Sequence, residues 1–110
     1  NLVEKLETKS YNIALLYYKL EDYKAAIISF NNLLKEYPDT KYKEQSLFYI
    51  LRSNYLYAKN SVTGKKIERY NNCIEAYNQY VNNFPNGKYK KEADNILNSA
   101  KKEISKLTNT

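Results

Sequence analysis

The sequence contains no histidine, tryptophan or methionine, and only one cysteine, two glycines and two prolines. Without histidine it lacks the commonest metal ligand, the usual general base and every Ser-His or Cys-His nucleophile pair. One cysteine cannot form an internal disulfide, and two glycines cannot build a glycine-rich phosphate loop. Scarce glycine and proline also disfavour a sheet protein with many turns. We therefore expect no enzyme, no metal site and no cofactor.

The chain begins at Asn1 and contains no methionine, although a translation start normally leaves one near the N-terminus. We therefore expect a piece of a longer protein, or a processed product. Its 110 residues are enough for one domain with one core. No apolar run approaches the roughly 18–20 residues that a membrane-spanning helix requires.

Apolar residues recur at the helical period of about 3.6 in two similar segments. The first stripe comprises Tyr23, Ala26, Ile27, Phe30, Leu33, Leu34 and Tyr37. The second comprises Tyr70, Cys73, Ile74, Tyr77, Tyr80, Val81 and Phe84. A proline follows each stripe, and Pro85 lies 47 residues after Pro38; Lys-Tyr-Lys recurs at the same offset, at 41–43 and 88–90. This match in register indicates an internal repeat.

Three further helices complete the pattern. One precedes the first stripe and carries Leu6, Ser10, Ile13, Ala14, Tyr17 and Leu20 on one face. Another runs from about 42 to 59, and the last carries Ala93, Ile96, Leu97, Ala100, Ile104 and Leu107. The segment 60–65 is the best candidate for a loop. The sequence thus predicts an all-α, right-handed stack of two helix pairs, at about 3–37 and 41–84, with a capping helix at about 88–107.

Several of these residues resemble the tetratricopeptide repeat. The small, aromatic and proline positions of that repeat are occupied by Ala14, Tyr17, Ala26, Phe30 and Pro38, and in the second pair by Cys73, Tyr77 and Pro85. Leu51 stands at a position where a small residue is usual. The junctions Tyr-Pro-Asp-Thr-Lys-Tyr at 37–42 and Phe-Pro-Asn-Gly-Lys-Tyr at 84–89 look like those of periplasmic tetratricopeptide proteins. Since the 47-residue period exceeds the usual 34, we place an insertion at 59–66. With this insertion the second pair resembles the C-terminal repeats of the BamD family of outer-membrane assembly lipoproteins.

This resemblance implies a non-catalytic scaffold of the machinery that assembles β-barrels, on the periplasmic face of the outer membrane. It implies partners among the other assembly subunits and unfolded outer-membrane proteins, and membrane association through an upstream lipid anchor. One alternative is the same fold serving as a division adaptor of the TolA-binding type. A second is a basic nucleic-acid-binding helical repeat, because lysine and arginine exceed aspartate and glutamate by 18 to 12. We favour a solvated lysine surface and expect no nucleic acid, since nucleic-acid surfaces usually use arginine with exposed aromatics.

Candidate binding residues lie on the first helix of each pair, at positions that line the inner groove in this repeat family. They are Tyr11, Tyr18, Lys19, Phe48, Arg52 and Tyr55. Aromatic side chains beside a cation suit partner recognition, because they bury a large area at little entropic cost. The alternative is that they stack between successive helix pairs. The stripe tyrosines, Tyr17 among them, are predicted to be core, and Cys73 is predicted to be a buried, unreactive thiol.

Overall fold

The computed structural model describes residues 1–109, and these residues form five α-helices and no strand. In chain order the helices are α1 (Leu2–Lys19), α2 (Tyr23–Glu36), α3 (Lys43–Lys59), α4 (Thr63–Asn83) and α5 (Lys90–Thr108). The all-helical stack predicted from the sequence is confirmed, with α1–α2 and α3–α4 as helix pairs and α5 packed on α4.

The central element of the stack is α3, which packs against α2 on one side and α4 on the other. It also touches α1 and α5, so the first helices of each pair and the cap share one side of the molecule. The result is an elongated body with extents of 54, 29 and 19 Å. Neighbours in sequence are therefore neighbours in space, as expected of a helical repeat.

Local chemistry sets the helix ends. Asn1 caps α1 in a capping box with Glu4, and the Asp22 side chain accepts a hydrogen bond from the Ala25 N–H at the start of α2. Such caps satisfy backbone donors that have no partner within the helix. Between these helices Glu21 adopts a left-handed φ of 62°, which reverses the chain direction.

Small and aromatic side chains from the repeat positions build the core. Ala14 and Ala26 are fully buried where α1 meets α2. In the second pair Leu51 is fully buried. The Cys73 Sγ atom lies 3.9 Å from the backbone carbonyl oxygen of Leu51. Leu51, at a repeat position where a small residue is usual, is therefore accommodated by packing against Cys73. The predicted burial of Cys73 is confirmed, and burial raises the pKa of its thiol to about 12.

Three details differ from the sequence expectations. The predicted loop 60–65 is shorter than expected, because α4 already begins at Thr63. Since α4 has 21 residues where α2 has 14, much of the additional length of the second helix pair is helical. Tyr17 is exposed rather than core. In the predicted stripe of α1 only Ala14 is buried, whereas Leu6, Ile13 and Leu20 are exposed. Besides Ala14, α1 packs through Tyr11, Leu15 and Tyr18, which lie outside that stripe.

Candidate protein-binding groove

Tyr11, on α1, is a packing residue at one end of the groove-lining helices. Its ring stacks on Tyr42 at 4.3 Å between centroids with an interplanar angle of 9°, and its other contact is edge-on to Phe30. Burial raises the pKa of the Tyr11 hydroxyl to about 12. The half-buried ring therefore joins the first helix pair to the junction before α3, which is the stacking role considered from the sequence.

Phe48 occupies the equivalent place in the second pair and is a core residue. It is 4 % exposed and stacks on Tyr89 at 4.5 Å. Its ring also meets Tyr80 edge-on. Phe48 therefore does not line the groove in this structure, because α5 and its preceding junction cover the ring.

Tyr18 and Arg52 meet across the α1–α3 contact. The Tyr18 ring lies 4.8 Å from Tyr49 and 5.9 Å from Tyr23, between centroids. Burial raises the pKa of the Tyr18 hydroxyl, and the adjacent Arg52 guanidinium partly opposes that shift. Arg52 itself is exposed, with Nη1 4.0 Å from Glu92 Oε2 of α5. Because the guanidinium has five donors and this ion pair is long, it can still bind a carboxylate or carbonyl oxygen.

A cavity of about 260 Å³ opens between α3 and α5, next to Arg52. It is lined by Arg52, Tyr55, Leu56, Glu92, Asn95 and Ile96. The Tyr55 ring, half-buried, packs at 5.8 Å against Tyr70 of α4, which fixes its orientation. We call the surface formed by Tyr18, Arg52, Tyr55 and the cavity lining the α3–α5 groove. It combines apolar walls with charges of both signs, which is the composition of a site for a side chain or short peptide segment.

Lys19 lies apart from the α3–α5 groove. It is exposed in the last turn of α1 and is not among the residues that line the cavity. A cation at this place interacts favourably with the negative end of the helix dipole. The structure therefore brings together three of the six candidates, Tyr18, Arg52 and Tyr55, while Tyr11 and Phe48 pack between helices.

The groove residues that come from α5 are absent from the sequence predictions, because the apolar stripe of this helix predicts only a cap. A signal was nevertheless present. The 47-residue offset that relates the two Lys-Tyr-Lys segments also relates Tyr49 of α3 to Ile96 of α5. Since Tyr49 packs against Tyr18 in the first pair, Ile96 was predictable as its counterpart in the α3–α5 groove.

In the described part of the chain, no group of His, Cys, Asp or Glu side chains is arranged to hold a metal ion. None of the helices within residues 1–109 has the length and apolar character needed to cross a bilayer. The α3–α5 groove offers apolar contact area together with hydrogen-bonding groups.

Stacked helix pairs with a surface built on the first helix of each pair define the protein as a tetratricopeptide-like helical-repeat protein. The model of the YfiO family, described as an outer membrane lipoprotein, matches residues 1–68. The chain therefore belongs to the YfiO family of outer membrane lipoproteins. The matched part comprises α1, α2, α3 and the first turns of α4. No curated protein matches the chain.

Proposed function

We propose that this chain is a non-catalytic scaffold of the machinery that assembles β-barrel proteins, at the periplasmic face of the outer membrane, related to the C-terminal repeats of BamD. Membership of the YfiO family supports an interaction role in outer-membrane assembly. The groove supports the binding mode: Arg52 and Tyr55 flank a cavity of about 260 Å³. Its partners would be other assembly subunits and unfolded outer-membrane proteins.

The α3–α5 groove suits a partner segment that combines an apolar side chain with a nearby acceptor. Leu56 and Ile96 provide the apolar wall, and Tyr55 is held by its contact with Tyr70, so little side-chain entropy is lost on binding. Arg52 can donate to a carboxylate or carbonyl oxygen of the partner. Aromatic and arginine side chains at the centre of such a surface typically carry most of the binding energy.

Site-specific photo-crosslinking in the protein's own cells tests this function. A photoreactive amino acid at position 55 lies in the α3–α5 groove, whereas one at position 71 lies on an exposed part of α4 outside the cavity lining. We expect position 55 to cross-link to outer-membrane assembly proteins and position 71 not to do so. Cross-links from position 55 only to soluble cytoplasmic proteins would overturn the proposal.

The alternative of nucleic-acid binding receives little support from the arrangement of the cations. The Arg69 guanidinium lies 4.2 Å from the Tyr57 ring centroid and donates a hydrogen bond to Ser61 Oγ at 2.7 Å. The depression beside it is lined by Glu21 and Asp22 as well as by lysines. A salt titration with random single-stranded RNA separates the two functions, because phosphate binding would show a steep salt dependence.

A further inference from the structure

The depression beside Arg69 is a cavity of about 510 Å³ that lies between the α1–α2 turn and the α3–α4 turn. One wall is formed by residues 21–24, and the other by residues between Tyr57 and Arg69. We call it the turn cavity, and it shares no lining residue with the α3–α5 groove. Because all lining residues lie between positions 21 and 69, two successive turns of the described chain form this cavity between them.

Part of the turn cavity is built by helical residues that the first helix pair lacks. At the 47-residue offset Tyr70 is the counterpart of the first residue of α2, but α4 already begins at Thr63. This N-terminal extension of α4 ends at Arg69, which stands where α2 has its capping residue Asp22. Lys65 lies one turn before Arg69, and residues four apart share a face of a helix. The extension therefore brings two cations to the cavity wall.

The Arg69 guanidinium is held in place but has no acid partner. It makes a cation–π contact with the Tyr57 ring and donates to Ser61 Oγ, which itself donates a hydrogen bond to the Tyr57 carbonyl oxygen at 2.5 Å. None of the ion pairs within residues 1–109 includes Arg69. Because a guanidinium has five N–H donors, this side chain can bind a further acceptor without losing its present contacts.

The acids of the turn cavity are engaged by their own neighbours. The Asp22 side chain accepts a hydrogen bond from the Ala25 N–H at 3.2 Å. Glu21 lies beside the Tyr23 hydroxyl, whose pKa is raised by burial and further by this carboxylate. The two lysines that line the cavity, like the arginine, form no ion pair in the described part of the chain. The cavity therefore has three cations without an acid partner.

We propose that the turn cavity binds an acidic side chain, glutamate or aspartate, of a partner protein, with the carboxylate held by Arg69. Arginine binds a carboxylate through two parallel hydrogen bonds. Since stacking on Tyr57 already fixes the guanidinium plane, little further side-chain entropy is lost on binding. The Tyr57 ring and Val62, which is 72 % exposed, offer apolar contact to the methylene groups of the acidic residue.

The carboxylates of Glu21 and Asp22 indicate which kind of molecule supplies the acid. They line the same cavity, so they repel a chain of phosphates or a strongly anionic surface. A protein segment instead presents its acidic side chain among backbone N–H groups, which these carboxylates can accept. The mixed charges of the lining therefore complement a peptide better than a ligand of a single charge sign.

An NMR titration of the whole isotope-labelled chain tests this site. The probe is a short acetylated and amidated peptide with one glutamate between alanines, and the matched peptide has glutamine instead. We expect the glutamate peptide to shift the backbone N–H resonances of Ser61 and Arg69 saturably. It should bind roughly tenfold or more tightly than the glutamine peptide, because only the carboxylate forms charge-assisted hydrogen bonds with Arg69.

Variants of the chain locate the binding residue. Arg69→Gln should weaken binding of the glutamate peptide by roughly tenfold or more. Lys59→Gln is the matched control, since it removes the same charge at an exposed position outside the cavity lining. Thermal unfolding checks that each variant is folded. Lys65→Gln, at an exposed position, should weaken binding by a smaller factor and provides the test if Arg69→Gln does not fold.

Three results would overturn this proposal. One is that the glutamate peptide causes no saturable shifts, or binds no more tightly than the glutamine peptide. Another is that Lys59→Gln weakens binding as much as Arg69→Gln does. The third is that inorganic phosphate shifts the same resonances at lower concentration than the peptide, since the cavity would then be a phosphate site. Absence of the groove cross-links described above would contradict the proposed function but not this inference, because Tyr55 is not part of the turn cavity.

Discussion

The hydroxyl of Tyr80 accepts a hydrogen bond from the backbone N–H of Tyr89 at 2.9 Å, where the chain turns from α4 into α5. In the first repeat the same N–H, that of Tyr42, donates to Thr40 Oγ1 at 3.2 Å. At the 47-residue offset Thr40 corresponds to Gly87 and Leu33 to Tyr80. The two repeats therefore provide different acceptors for equivalent backbone N–H groups. In the first repeat the acceptor is Thr40, two residues away, and in the second it is Tyr80, from the preceding helix.

Tyr80→Phe should destabilise the protein by about 1–3 kcal/mol, because it removes the acceptor for the Tyr89 N–H and the donor to Glu44 Oε2 at 2.8 Å. Urea denaturation measures the free energy of unfolding. Tyr17→Phe is the control, since Tyr17 is 37 % exposed and its hydroxyl forms no side-chain hydrogen bond within residues 1–109. It should change the free energy of unfolding by less than about 0.5 kcal/mol. Equal stability of the two variants would contradict the importance of the Tyr80 hydroxyl.

Gly87→Ala should destabilise the protein by about 1–3 kcal/mol, because the new Cβ would meet the Tyr80 hydroxyl and, at 2.6 Å, Glu44 Oε2. Gly64→Ala provides a matched control, since a Cβ there has no neighbour within 4 Å and the residue lies in α4. It should be neutral or stabilise by up to about 1 kcal/mol. Thermal unfolding of both variants distinguishes a packing cost from a general effect of glycine replacement.

A double variant, Tyr80→Phe with Gly87→Ala, measures how much of the cost of Gly87→Ala comes from the Tyr80 hydroxyl. In a Tyr80→Phe background the hydroxyl is absent, so Gly87→Ala should cost less than it does in the wild-type chain. The difference is the coupling free energy between the two positions, obtained from a double-mutant cycle. Strict additivity would show that the hydroxyl is not what excludes a side chain at position 87.

Stability should decrease at alkaline pH through the buried tyrosines. Burial raises the pKa of both Tyr70 and Tyr80 to about 12, whereas unfolded tyrosine ionises near about 10. An acid whose folded pKa is raised stabilises the folded state below its unfolded pKa and loses that contribution as the pH rises toward the folded value. Urea midpoints between about pH 9 and about pH 11.5 should therefore fall, and less steeply in Tyr80→Phe.

Cys73 should react with thiol reagents only when the protein unfolds. It is fully buried, and its pKa is raised to about 12, so thiolate is scarce in the native state. A chain carrying Cys73→Ala and Val62→Cys should be alkylated rapidly under native conditions, because position 62 is 72 % exposed. Comparable labelling rates for both thiols would mean that the α3–α4 contact opens readily.

The sequence predicts the helices well because each depends on local information. Period 3.6 defines the two main stripes, and Pro38 and Pro85 stand two residues after the last residues of α2 and α4. It predicts less well which neighbour covers each face. The stripe through Ile13 is as periodic as the stripe through Phe30, yet Ile13 and Leu20 are exposed while Phe30 and Leu33 are buried. Burial depends on which element packs against a face, and the period of one helix does not contain that information.

The groove shows the same limit at the level of single residues. Tyr11 and Phe48 were placed by family position, and both positions are aromatic, but the structure buries one of them under α5 and its junction. The hydrogen bond between the Tyr89 N–H and the Tyr80 hydroxyl likewise depends on tertiary structure, because it forms only if α4 ends beside the junction. Only the internal offset of 47, applied residue by residue, could have indicated Ile96 and the exchange of Thr40 for Gly87.

The Thr40–Gly87 difference also constrains the order in which such junctions can diverge. Converting the second junction to the first requires Tyr80→Leu and Gly87→Thr. If the threonine came first, its Cβ would meet the tyrosine hydroxyl that already fills the site. If the leucine came first, it would leave a hole and one backbone donor without its acceptor, a loss that a following threonine can repair. Divergence between the two junction types is thus open to one order of substitutions, which passes through a cavity, and closed to the other order, which passes through a collision.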